Sequence, residues 1–222
     1  IPEAIKRYQY LIDQGYNDAK IFSNYGAILR GLGKLKEAEL LTRRAIELNP
    51  KYFVAYSNLG FILRELGKLE DAEFFTLKAI EINPNFPDAH MHLGIILSDL
   101  GKFDEAELSI RMAIKLNPEF ANAYSNLGLI LQELGKLKEA EISTQKAIKL
   151  KPNLAQNYYR ISKIYTEMKD FSNSLNSIQQ AIKLEPNNHI YKGELTRINF
   201  IKGDLDEKLD ANDLPWTDSD DY

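Results

Sequence analysis

The chain contains no cysteine, and that one absence excludes a disulfide framework, a thiolate metal site and cysteine-based catalysis together. It has no apolar run approaching the length of a membrane span, so no membrane insertion is expected. It opens without methionine and in mid-pattern, which reads as a fragment, any targeting segment having been cut away; the cytoplasm is the compartment expected. The sequence also lacks GxSxG, P-loop, GxGxxG and HExxH motifs, so no catalytic residue and no cofactor is assigned. It is not basic either. The net charge of −4 is unevenly spread, because Asp204, Asp206, Glu207, Asp210, Asp213, Asp218, Asp220 and Asp221 face a single base, Lys208, in the last segment. That segment carries −7 and leaves +3 on residues 1–203. A near-neutral body with an acidic tail is not built for non-specific nucleic-acid binding, and no nucleic-acid partner is expected.

What the sequence does have is repetition. AYSNLGFILRELGKLEDA at residues 55–72 returns as AYSNLGLILQELGKLKEA at residues 123–140, with fourteen of eighteen positions identical. The copies start 68 residues apart, and related stretches begin at Ser23 and His90, so the period is 34. Five full copies align at 19–52, 53–86, 87–120, 121–154 and 155–188. Each reads as two helices. In the fourth, Tyr124, Leu127, Gly128 and Leu131 make the apolar stripe of a first helix, and Gly135 suits its C-terminal turn. Leu137, Ala140, Thr144, Ala147, Ile148 and Leu150 make the stripe of a second helix, which Pro152 ends. The GLG at 31–33 is read as the same helix-ending turn. Small residues recur in three columns: Gly26, Gly60, Gly94, Gly128 and Ser162; Ala38, Ala72, Ala106, Ala140 and Ser174; Ala45, Ala79, Ala113, Ala147 and Ala181. They mark crossings where helices approach closely.

The pattern of an aromatic, then Leu-Gly, then two spaced alanines and a proline on a 34-residue period resembles the tetratricopeptide repeat (TPR). The resemblance covers residues 19–188 and implies an all-α fold, a right-handed α-solenoid or superhelix of helix-turn-helix units that binds protein. Two departures stand out. The aromatic expected after the first conserved Ala is Thr42, Thr76, Ile110, Thr144 or Ile178, and the fifth copy has Ser162 and Lys169 in place of two glycines. Residues 1–18 are expected to be the second helix of a truncated preceding repeat. Residues 189–209, with polar Lys192, Thr196 and Asn199, are expected to form a degenerate sixth repeat acting as a solvating cap, and 210–222 an acidic, flexible tail.

In such arrays a stripe of first-helix residues lines a concave groove. One column here reads Asn24, Asn58, His92, Asn126 and Arg160. It is similar to the asparagine ladder of O-linked N-acetylglucosamine transferase superhelices, in which carboxamides hold an extended peptide backbone; an amide supplies both donors and an acceptor. The resemblance carries to Asn24, Asn58 and Asn126 and is interrupted by His92. The alternative is that these amides bond neighbouring helices and only set superhelix geometry. Beside them run Ala27, Phe61, Ile95, Leu129 and Lys163, whose apolar members either grip ligand side chains or are covered by adjacent helices. Arg30 and Arg64 lie one turn on and suit an acidic ligand, unless Glu65 neutralises Arg64. The chaperone-tail clamp of some TPR domains is disfavoured, since Ser23, Ala27, Asn58, Met91 and Ile95 stand at its places and only the Asn matches. His90 and His92 are the one candidate metal pair, but residues two apart on a helix point to different faces. The function expected is a scaffold binding an extended peptide in the groove. The alternatives are a substrate-recruiting arm of a larger enzyme such as a glycosyltransferase, and self-assembly through the open N-terminal helix or a docking tail anchored by Trp216.

Overall fold

The computed structural model describes residues 2–212, with side chains from Glu3 to Gly203; Trp216 and the acidic residues after Asn212 lie outside the described residues. Among the described residues every element is helical: α1 (Pro2–Asp13), α2 (Ala19–Gly31), α3 (Leu35–Leu48), α4 (Phe53–Glu65), α5 (Leu69–Ile82), α6 (Pro87–Asp99), α7 (Phe103–Leu116), α8 (Ala121–Glu133), α9 (Leu137–Leu150), α10 (Ala155–Glu167), α11 (Phe171–Leu184) and α12 (His189–Asn212). Each even-numbered helix from α2 to α10 packs against the odd-numbered helix that follows it, and that helix packs on the next pair. First helices also touch first helices, as in α2 with α4 and α4 with α6, whereas second helices make no comparable contact with one another. The closer spacing of the first helices puts them on the inside of a curved α-solenoid and the second helices on the outside.

The turns explain why the period is so regular. Leu32 caps α2, Gly33 takes φ +75°, its N–H reaches the Arg30 carbonyl, and the Lys34 N–H reaches Leu29 at 3.0 Å. This six-to-one bond needs a left-handed residue, which glycine supplies without a Cβ clash. Gly67, Gly101 and Gly135 repeat it, but the fifth copy puts Lys169 there at φ 61°. The second helices end on Asn49, Asn83 and Asn117 in extended conformation, and their side chains accept N–H bonds two residues on at 3.0–3.2 Å. Pro50, Pro84 and Pro118 follow at once and forbid further helix.

The glycine column has a steric cause. A Cβ on Gly94 would stand 2.5 Å from Ile110 Cγ1 and 3.0 Å from the Ala106 carbonyl, and Gly26, Gly60 and Gly128 meet Thr42, Thr76 and Thr144 in the same way. The Thr and Ile residues that replace the expected aromatic therefore pack directly against glycine. Each threonine hydroxyl is fully buried and donates to the alanine carbonyl one turn back at 2.8 Å, so its polar group is satisfied. In the fifth copy serines stand at both the glycine and the facing alanine positions: the Ser162 hydroxyl donates to the Tyr159 carbonyl at 2.8 Å and the Ser174 hydroxyl donates to the Ser162 carbonyl at 2.9 Å. At the C-terminal end Tyr191 and Ile198 of α12 are buried in a core cluster with Ile178 and Ala181 of α11. Lys192, Thr196 and Asn199 are exposed, but so are Ile190 and Phe200.

Candidate functional site in the inner groove

The column Asn24, Asn58, His92, Asn126 and Arg160 lies along the inner helices, but its members do different work. Asn58 Nδ2 donates to Ser23 Oγ at 3.0 Å, Ser57 Oγ and His92 Nδ1 lie 2.9 Å apart, and Arg160 Nη1 donates to the Ser125 carbonyl at 2.9 Å. Each of these bonds reaches back 35 residues to the first helix of the preceding repeat. These three members therefore staple inner helices to one another. Asn126 breaks the series because Met91 occupies the place held by Ser23, Ser57 and Ser125, and a thioether gives the amide almost nothing to bond. Among the described residues neither Asn126 nor the exposed Asn24 has a side-chain hydrogen-bond partner, and the Asn126 side chain is part-buried in the groove.

Around His92 the groove is packed rather than open. The imidazole stacks on Phe61 with centroids 4.4 Å apart, and the guanidinium carbons of Arg30 and Arg64 lie 4.6 and 5.3 Å from the same ring centroid. Burial, then the positive charges of Arg30 and Arg64, push the His92 pKa down from 6.5 to about 3, with the bond at Ser57 opposing them only in part. His92 is thus a neutral, structural imidazole. His90 turns elsewhere, its Nε2 2.8 Å from the Pro84 carbonyl, and among the described residues no three His, Asp or Glu side chains converge as a metal site. Arg64 is not neutralised by Glu65; its Nε donates to Asp99 of the next repeat at 2.5 Å. Gln132 reaches Glu167 in the same way, so the acidic column accepts from the repeat before it.

The groove opens further along. Two adjoining hollows of about 400 and 350 Å³ share Phe61, Ile95, Asn126, Gln156 and Arg160. Leu129, Ile130, Ser98, Arg64 and Asp99 complete the first, and Met91, Asn122, Ser125 and Leu154 the second. Burial lowers the Arg160 pKa, as desolvation does for any cation, and among the described residues no carboxylate pairs with it. The structure therefore brings Phe61, Ile95, Leu129, Asn126, Arg64 and Arg160 to one place. Asn24 lies apart, Asn58 is engaged at Ser23, and Arg30 lies over Phe61 without lining either hollow. Asn122 and Gln156 escaped the sequence reading as individual residues, although they share one groove-facing repeat position. Asn157 is fully buried and accepts from Ser125 at 2.6 Å, while its Nδ2 finds no partner among the described residues. A larger depression of about 790 Å³ lies against α1, and among the described residues only that helix lines it, so no set of polar groups from several described elements converges there.

Tetratricopeptide repeat models match residues 19–52, 53–86, 121–154 and 155–188, and further TPR models match 75–107 and 96–135. A comparison with curated proteins finds no match. Among solved structures, the chain is similar to PilF of Pseudomonas aeruginosa at 17% identity and a TM-score of 0.74, covering 85% of this chain and 86% of that one. It is similar to TTC0263 of Thermus thermophilus at 20% identity and TM-score 0.72, covering 82% and 99% respectively. It is also similar to YrrB, described as a TPR protein with an unusual peptide-binding site, at 22% identity and TM-score 0.61, covering 84% and 96%. No described helix is long and apolar enough to cross a membrane. The matched repeats, running from residue 19 to residue 188 on a 34-residue period, make this chain a member of the tetratricopeptide repeat family.

Proposed function

We propose that the chain is a protein-interaction scaffold that holds an extended peptide segment in the inner groove between α4 and α10. Family and fold support the scaffold role. The peptide reading rests on one observation: among the described residues the Asn126 amide has no hydrogen-bond partner, and it stands at the junction of two hollows whose walls combine apolar side chains with Arg160, Gln156 and other polar groups. A carboxamide pairs with a peptide unit whatever its side chain, as in the asparagine ladder that this column resembles. Phe61, Ile95 and Leu129 take apolar side chains of the ligand, and the guanidinium of Arg160 takes a carboxylate. The description of YrrB as a peptide-binding TPR protein adds a precedent on the same fold.

The test is affinity capture with mass spectrometry, comparing wild type with Asn126→Ala/Gln156→Ala. Among the described residues these side chains make no inter-repeat bond, so thermal unfolding should match wild type, and partners bound through the groove should be lost. Capture of the same partners by both proteins would remove the groove as the binding site.

A further inference from the structure

The repeat position just before the groove column holds Ser23, Ser57, Met91, Ser125 and Tyr159. After each serine, the column residue of the next repeat reaches back 35 residues: Asn58 to the Ser23 hydroxyl, His92 to that of Ser57, and Arg160 to the Ser125 carbonyl. After the two large residues it does not. Asn126, in the repeat after Met91, has no side-chain partner among the described residues. Glu194, in the helix after Tyr159, pairs within its own helix with Arg197 at 2.7 Å.

Hollows of the inner face lie at the same two junctions. Met91 lines one of the two hollows around Asn126, and Tyr159 lines another, of about 560 Å³, between α10 and α12. Met91 is buried in a core cluster that α6 shares with Ala123 and Leu127 of α8. The helices α6 and α8 also pack less closely than α2 with α4 or α4 with α6. The chemistry accounts for the difference: a serine hydroxyl is a short, strong acceptor, whereas a thioether is bulky and accepts weakly.

We infer that Met91 is the positioning residue that sets where the groove binds. By withholding an acceptor from Asn126 it leaves that amide to the backbone of an extended peptide. The inference rests on the peptide-groove reading above and adds to it the residue that chooses the site. Asn58 and Asn126 carry the same amide, and the residue at one position of the preceding repeat commits the first to structure and the second to ligand. Met91→Ser should therefore close the site, the Asn126 amide bonding back to α6 as Asn58 bonds back to Ser23.

Two readouts on the full chain test this. The first needs no ligand: solvent exchange of the Asn126 side-chain amide protons, followed by NMR and assigned by their loss in Asn126→Ala. Met91→Ser should slow that exchange about fivefold, the effect of one added hydrogen bond, and Met91→Leu should leave it as in wild type. Ser23→Ala, which removes an acceptor without crowding the helices, should speed exchange at Asn58 about fivefold and covers the case in which Met91→Ser does not fold. The second readout uses an array of random octapeptides, acetylated and amidated at their ends. Wild type and Met91→Leu should retain the same peptides, and Met91→Ser should bind them at least about fivefold more weakly. Unchanged exchange at Asn126 in Met91→Ser, or at Asn58 in Ser23→Ala, overturns the role of this repeat position. Peptides held equally by Met91→Ser and wild type overturn Met91 as the residue that sets the site. A wild type that retains no peptide while the exchange results hold refutes the groove reading itself and leaves Met91 a structural residue.

Discussion

Replacing His92 by Asn isolates the electrostatic cost of a neutral histidine held between two arginines. The folded pKa of about 3 lies far below the ordinary 6.5, so between those values the unfolded chain binds a proton that the folded chain refuses. The sign follows directly: folding stability is complete above about pH 6.5 and falls on acidification toward pH 3. With those two values, going from about pH 7.5 to about pH 5 removes about 2 kcal/mol, near the limit of 1.4 kcal/mol per pH unit. Asparagine does not titrate, and its Nδ2 is placed to reach Ser57 as Asn58 reaches Ser23. His92→Asn loses the stacking on Phe61, about 0.5–1.5 kcal/mol, at every pH. The informative quantity is therefore the change between the two pH values, not the stability at either. Urea unfolding followed by circular dichroism at both pH values gives it for each protein. The acid loss of wild type should exceed that of His92→Asn by about 2 kcal/mol. Equal losses would mean that His92 takes up its proton in the folded array and that the packing against Arg30 and Arg64 does not exclude it.

Three further outcomes are expected. Lys169→Gly should raise stability by about 0.5–1 kcal/mol, because lysine there adopts a left-handed backbone that glycine adopts freely, and an unchanged or lowered unfolding midpoint would contradict it. Gly94→Ala should cost about 1–3 kcal/mol, since the added methyl meets Ile110 and the Ala106 carbonyl; a thermal midpoint equal to wild type would mean that the helices separate without penalty. Asn58→Ala should cost about 1 kcal/mol through the lost bond to Ser23, whereas Asn126→Ala should stay within about 0.5 kcal/mol, and equal losses in chemical unfolding would refute the division of the column into staples and a free member.

The sequence by itself determined the architecture. A 34-residue period, glycines at the turns and small residues at three crossings specify two helices per unit and their stacking, because in a repeat array each unit touches only its neighbours and local rules therefore suffice. The departures from the family pattern were visible too, although only packing shows that Thr42, Thr76 and Thr144 lie where a Cβ on the facing glycine would stand. What the tertiary structure decided is how the groove residues are engaged. Asn58 and Asn126 occupy the same repeat position in nearly identical local sequences, yet among the described residues one is bonded and the other has no partner. The difference lies 35 residues upstream, in Ser23 against Met91, and becomes readable only when the register between successive inner helices is known. The same register gives Arg64 to Asp99 rather than to its chain neighbour Glu65. Adjacent residues on a helix point about 100° apart, so a partner one repeat away is closer than the next residue in sequence.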